Sequence, residues 1–464
     1  MSSTEDLHFL TVAEAGRRFR DGSLAPSTLV EALVERTRRL DPLLRSTITL
    51  AAEAASEAAS AAEAAFARGR WIGPLHGIPI GVKDCIATAG LRTTANSHLL
   101  SDWVPDEDAP AVAALRRSSA IVLAKLNLNE FAWSIPSEDD LKAPPRNPWR
   151  PASYSMGSSS GSSVAVASGL CVAALGTDAG GSVRQPASNC GVVGLKPTHG
   201  LVASTGAFAP ASICDVGPIA RSVEDVAMVL DALAGGAGVY VGEATAPRRR
   251  QDRARIGVPR RPIEAAAPDR EIAADFEQAL EVFGDLGVDV IDVELEGLAD
   301  AAAADFVVLN AEAFAAHERT LRAHGRDYGP SARAYHLQGA FLSAADYIAA
   351  REVGDTVRGR LDRLFSDVDA LATPVAPFLT SEAARASKAH PGTGGVAVFT
   401  APFNLTGHPA LAVPCGMSAA GMPIGLQLVG RAGGEAELLR LAGTYEQATP
   451  WHTMHPTDLT LAMG

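Results

Sequence analysis

Residues 154–194 read YSMGSSSGSSVAVASGLCVAALGTDAGGSVRQPASNCGVVG. A Ser/Gly cluster by itself reads as a flexible linker. Two features oppose that reading here. The cluster runs directly into VAVAS and CVAAL, which are buried-element text. A second glycine pair, Gly180-Gly181, then precedes Ser182 and an Arg-Gln-Pro turn. Working outward, short β-branched runs alternate with helical patterns. Residues 78–83, 121–125 and 172–175 read as strands, and 111–117 and 223–233 as helices. That alternation makes the chain α/β, with a largely buried sheet.

The glycine pair has a chemical reading. Consecutive small residues let the backbone take positive φ and aim successive N–H groups into one concavity, which holds an oxyanion. A serine at its edge can attack a carbonyl whose oxygen falls into that nest, and one donor there is worth about 3–4 kcal/mol of barrier. Serine needs a base. Of the 11 histidines, His76 and His199 lie in Gly- and Pro-rich text, but no GxSxG elbow and no HExxH motif is present. The other candidate base is Lys83, which ends the apolar run IPIGVKD. Desolvation lowers a lysine pKa and frees its lone pair; unshifted, only about one lysine in a thousand is neutral near pH 7.5. Spacing alone favours a plainer reading, an ion pair of Lys83 with Asp84 or another acid.

The rest of the chain fits one large globular unit. It has 464 residues, 47% hydrophobic and 20% charged, enough to bury a core without disulfide or metal staples. Residues 1–70 read as N-terminal helices. Thr11 to Glu14 has the capping-box pattern, Thr28 to Glu31 repeats it after Pro26, and the Ala/Glu-rich stretch that follows is a strong helix former. Residues 235–255 read as a linker that carries the basic run Arg248-Arg249-Arg250. A more helical insert at about 236–370 interrupts a core made of 71–235 and 371–464. The five cysteines form no CxxC pair, which suggests neither a disulfide framework nor a zinc site. A net charge of −13 argues against nucleic acid as a partner. No signal peptide or membrane helix is legible, so a cytoplasmic location without membrane partners is expected.

Six segments, in order, resemble the amidase signature hydrolases: GIPIGVKD (77–84), NLNEFA (127–132), the Ser/Gly region, GLKPTHG (194–200), GPIARSVED (217–225), and the tail from FNLTGHPALAVPCG to PIGLQLVGR. The resemblance covers nearly the whole chain. It implies a central, mostly mixed β-sheet covered on both faces by helices, and a Ser–Ser–Lys triad. Ser182 is then the acylating nucleophile and Lys83 the general base. Ser158 is the bridging serine and follows a cis Gly157–Ser158 bond. The N–H groups of Ala179, Gly180, Gly181 and Ser182 form the nest. Lys83 takes a proton through Ser158 from Ser182, Ser158 returns one to the leaving amine, and water resolves the acyl-enzyme. The scheme needs no metal or cofactor. Arg184 reads as a structural ion-pair residue, and Thr177 and Asp178 as hydrogen-bonding the loop backbone. Departures from the family pattern are Met156 and Ser160 where glycine is usual, and Cys214 where aspartate is usual.

The substrate pocket is expected in 131–148, 300–350 and 397–403. The family's glutamine-hydrolysing tRNA-amidotransferase subunit carries an acidic residue three positions before the Thr of FTxPxNL, where this chain has Ala397. An amino-acid ammonium needs a charge partner, so a small uncharged or aryl amide is the expected substrate. The alternatives are a hydrazide or ester hydrolase, the glutamine-hydrolysing subunit itself, and a catalytically silent scaffold. A homodimer is the family-level expectation for assembly.

Overall fold

The computed structural model describes residues 7–208, 212–246, 254–379 and 395–456. The basic run 248–250 lies outside the described residues. An eleven-stranded sheet runs through the molecule in the order β1-β3-β2-β4-β6-β5-β10-β11-β9-β7-β8. Its strands are β1 (Thr47–Leu50), β2 (Pro79–Lys83), β3 (Ile121–Leu126), β4 (Ala173–Asp178), β5 (Val193–Lys196), β6 (Asp215–Ala220), β7 (Arg255–Val258), β8 (Asp289–Asp292), β9 (Ala370–Pro374), β10 (Ala410–Met417) and β11 (Pro423–Gly430). The sheet is mixed. β3, β2 and β4 are parallel, as are β8, β7 and β9, while β4, β6, β5, β10, β11 and β9 alternate in direction. Helices flank the sheet, so its central strands are buried along their full length and read as continuous apolar runs.

Local chemistry places the ends of the elements. Thr11 caps the helix Val12–Asp21 by accepting from Glu14 N at 3.0 Å. The return half of the expected box is absent, because the Glu14 carboxylate pairs with Arg18 at 2.9 Å. The second box does not form. The helix Pro26–Leu44 starts at Pro26, whose fixed φ suits the first helical position, and Thr28 lies inside it. The segment expected as a helical insert also contributes β7 and β8 to the common sheet.

The topology fixes where the site lies. β2 and β4 pair in parallel, with Gly81 opposite Ala174 and Val82 opposite Leu175, so their carboxyl ends open side by side. In open α/β sheets ligands bind at such ends. Close approach here depends on glycine: a Cβ on Gly81 would lie 2.3 Å from Leu126 Cδ1, and one on Gly176 would lie 2.7 Å from Ser159 Oγ.

Candidate active site

Lys83 is the last residue of β2, and Thr177 and Asp178 end β4. The parallel register brings them together. Lys83 Nζ donates to Thr177 Oγ1 at 2.7 Å and to Thr177 O at 3.4 Å, and lies 2.8 Å from Ser158 Oγ. The side chain is fully buried. Burial pushes its amine below the ordinary lysine range, partly opposed by Cys85, Cys214 and Asp178. The ion pair with Asp84 does not form. Asp84 accepts from Thr94 N at 2.8 Å and faces Lys125 Nζ at 3.8 Å. Asp84 follows the end of β2, in a turn, and its carboxylate is taken up by Thr94 and Lys125 instead.

Ser158 is buried, and the Gly157–Ser158 peptide is cis. Met156, where glycine is usual, takes the left-handed region at φ 60°. Ser159 fastens this loop to its neighbours. Its N–H donates to Ser182 O at 3.0 Å, and its hydroxyl accepts from Thr177 N at 3.2 Å.

The Ser182 loop is built around Asp178. This carboxylate accepts from Gly181 N at 2.7 Å and Val183 N at 3.0 Å. It also accepts from Arg184 Nε at 2.9 Å and Nη2 at 2.8 Å. Burial pushes Asp178 up, but the Arg184 guanidinium and Asn404 more than reverse this, so its carboxyl sits well below the usual range. Arg184 also donates to Thr400 O, Gln427 Oε1 and Asn404 Oδ1 at 2.9, 2.7 and 2.6 Å. All of its donors point at fixed protein oxygens, which is an anchoring arrangement.

This geometry alters the expected nest. The Gly181 N–H is committed to Asp178, whereas those of Ala179, Gly180 and Ser182 meet no acceptor among the described residues. Gly181 has φ 122°, and a Cβ there would lie 2.3 Å from Thr400 Oγ1. Thr400 Oγ1 in turn donates to Gly180 O at 2.7 Å. Thr177 also departs from expectation, since its hydroxyl serves Lys83 rather than the loop backbone. The two histidines considered are engaged elsewhere: His199 pairs with Asp215 at 2.9 Å, and His76 packs on Phe66 and Trp71. All five cysteines are buried and free.

Sequence reading did not single out roles for Thr400, Asn404, Gln427 or Asp305, although Thr400 and Asp305 lie in the expected segments 397–403 and 300–350 and Asn404 and Gln427 in the matching tail. Asp305 lies on the helix Leu298–His324 and is 2% exposed. Its Oδ2 would be 3.5 Å from a Cβ built on Gly180. No local motif marks it, because its relation to the loop is purely tertiary. The same helix, with Phe131, Trp133 and Phe208, lines a cavity of about 600 Å³. Two of the three expected pocket segments, 131–148 and 300–350, therefore meet there.

A mixed sheet of this order, with a Gly-Gly-Ser loop at the carboxyl ends of its parallel strands, is the build of a carbon–nitrogen hydrolase acting on amides. The chain belongs to the amidase family, whose model (Amidase) matches residues 28–439. It is 37% identical to a glutamyl-tRNA(Gln) amidotransferase subunit of Roseiflexus sp. (strain RS-1), over 97% of this chain and 98% of that one. A crystal structure of an amidase superposes with a TM-score of 0.84 at 32% identity, covering 94% of this chain and 99% of that chain. The native peptide amidase from Stenotrophomonas maltophilia gives 0.79 at 32% identity, covering 95% and 96%.

The first of these relatives corrects the expectation that nucleic acid has no part. A component of a tRNA amidotransferase so similar over its full length removes the ground for it. Net charge reports how a chain's own surface meets phosphate. It does not report what an assembly containing that chain handles. Among the described residues no helix is long and apolar enough to cross a membrane.

Proposed function

We propose that this chain hydrolyses carboxamides through an acyl-enzyme on Ser182, with Ser158 and Lys83 as its proton relay. One observation carries the reading: a buried lysine amine in contact with the Ser158 hydroxyl and with no carboxylate partner among the described residues. A neutral amine has two N–H donors and one lone pair. Thr177 O can only accept, and Thr177 Oγ1 accepts the second N–H. The lone pair is then left for the Ser158 hydroxyl. Ser158, made basic in this way, takes the proton of Ser182 as its oxygen attacks the carbonyl carbon. The N–H groups of Ala179, Gly180 and Ser182 receive the negative oxygen. Ser158 then protonates the departing nitrogen, the acyl-enzyme remains, and water resolves it by the same relay.

Ser182→Ala tests the scheme. Loss of turnover and of fluorophosphonate labelling at Ser182, with an unchanged melting temperature, is the expected result. Retained turnover excludes it.

Two substrate readings differ in what they predict. A stand-alone amidase releases ammonia from a small carboxamide faster than from free glutamine. The second reading, a glutamine-hydrolysing subunit, is favoured by the 37% identity to the amidotransferase component. It predicts the reverse order and co-purification with partner chains. Only Ala397 spoke for an uncharged amide. Asp305 brings a carboxyl to Gly180 from a different element, which removes that ground.

A further inference from the structure

Asp305 is unlike the other acids around the Ser182 loop. Asp178 and Asp215 are buried too, but each is matched by a cation: Arg184 at 2.8 Å and Lys196 at 2.9 Å. Those pairings also use up the two cations that act on Asp305. Among the described residues, Asp305 Oδ1 is buried with no hydrogen-bond partner, and its Oδ2 reaches to the edge of Gly180, beside the proposed nest. Its flanks are apolar. Ala304 and Val308 pack in one cluster with Ile213 and Phe403, and Ala179 lies against that cluster.

Burial and the neighbouring Asp178 and Glu312 push the Asp305 carboxyl well above its ordinary range. Glu312 stands about two turns further along the same face of the helix. It accepts from Ser212 N at 3.2 Å and from Tyr347 Oη at 2.8 Å. The free chain thus holds a carboxyl in an acidic setting, unpartnered, next to where an oxyanion is to form. An ionised Asp305 there opposes the reaction unless a positive charge arrives with it. A buried carboxyl with no protein partner is costly, and a ligand cation removes that cost.

We propose that Asp305 recognises a positively charged amine on the substrate, so that the preferred substrates are carboxamides that also carry an ammonium group close to the scissile amide. The inference rests on the reading of Ser182 as the nucleophile. It goes beyond that reading by assigning the substrate class and the residue that selects it. The ammonium donates to the Asp305 carboxylate, the scissile carbonyl oxygen lies against the Ala179 and Gly180 N–H groups, and the helix Leu298–His324 sets the distance between the two.

The test uses the full chain and matched pairs of probes: L-alaninamide against propionamide, and β-alaninamide against butyramide. The readout is the ratio of kcat/KM for the charged over the neutral amide at pH 7. The wild-type ratio is expected to exceed about tenfold for at least one pair. Asp305→Asn is expected to lower that ratio by about tenfold or more, with Asp305→Glu recovering part of it. A purely structural role lowers both members of a pair together and leaves the ratio unchanged. A wild-type ratio at or below one, or a ratio unmoved in Asp305→Asn, overturns the inference. The wild-type ratio decides even if the variants fold poorly. Fluorophosphonate labelling of Ser182 separates the two levels of the claim. Labelling without charge preference sinks the inference and leaves the amidase reading in place. Absence of both labelling and amide hydrolysis overturns the amidase reading, and the inference with it.

Discussion

Among the described residues, Lys83 is held by three oxygens and no carboxylate, and that sets both its chemistry and its cost to the fold. Its folded pKa is depressed by burial, while the unfolded value is the ordinary one of about 10.5. At any pH below that, the unfolded chain gains more from protonating this amine than the folded chain does. The lysine therefore destabilises the fold throughout the neutral range, and the effect vanishes only above about pH 10.5. Lys83→Met is thus expected to abolish amide turnover, with no rescue at high pH, and to raise the unfolding free energy at pH 7. Urea titration and ammonia release measure the two effects. In the wild type, kcat/KM should rise with pH to a plateau whose apparent pKa lies below that of free lysine. A variant less stable than the wild type at pH 7 contradicts the cost assigned to burial. The sequence marked Lys83, Ser158 and Ser182 because each lies in a recognisable motif. It could not show what surrounds them. Asp84, just past the end of β2, is drawn to Thr94 and Lys125, and Thr177 arrives through a parallel register set by residues far apart in the chain.

The loop between β4 and the helix Arg184–Cys190 is shaped from two sides. Asp178 gathers its N–H groups from within, and Thr400, just ahead of the helix Ala401–Leu405, holds Gly180 O from without. Gly181 is the one position in the loop whose φ of 122° and crowding against Thr400 Oγ1 and Gln185 Nε2 both require glycine. Gly181→Ala should push Gly180 and Ser182 out of line. The expected result is a fall in kcat of about 100-fold or more with a modest loss of melting temperature, because the nest works only in a fixed geometry. A kcat within about threefold of wild type would mean that the loop yields without displacing the donors. At this scale the sequence conveyed element type better than element ends. Strands were legible from apolar runs that the sheet buries on both faces. The start at Pro26 and the missing half of the Thr11 cap were not, because a proline preset and a local Arg18 partner won over the capping pattern.

Across the whole molecule, one sheet joins segments that read as separate. β7 and β8 escaped notice as its continuation because they are four residues each; β7 is buried but too short to stand out, and β8 is half-exposed and acidic. The N-terminal helices are tied to this sheet through the start of the helix Val223–Ala234. Arg221, after β6, donates to Leu10 O and to Val166 O, and Asp225 Oδ1 accepts from Ala13 N at 3.3 Å. Asp225 is fully buried and its Oδ2 has no partner among the described residues; burial pushes its carboxyl up to about 6, against the pull of Arg221. The sign follows from that. In the unfolded chain an aspartate loses its proton near pH 4, whereas the folded chain holds it to about 6. Asp225 therefore contributes stability below about pH 4 that is lost as pH rises toward 6, at up to about 1.4 kcal/mol per pH unit. Asp178 and Asp215 act in the opposite sense, because their depressed values make them stabilising above about pH 4 and lost only in stronger acid. Asp225→Asn keeps the acceptor for Ala13 and removes the titration. It is expected to be more stable than the wild type at pH 7 by about 1–3 kcal/mol, with the gap closing toward pH 4. Chemical unfolding at the two pH values measures it. A gap of equal size at both would mean that the substitution acts through packing, and that Asp225 titrates as an ordinary carboxyl at the joint between the N-terminal helices and the sheet.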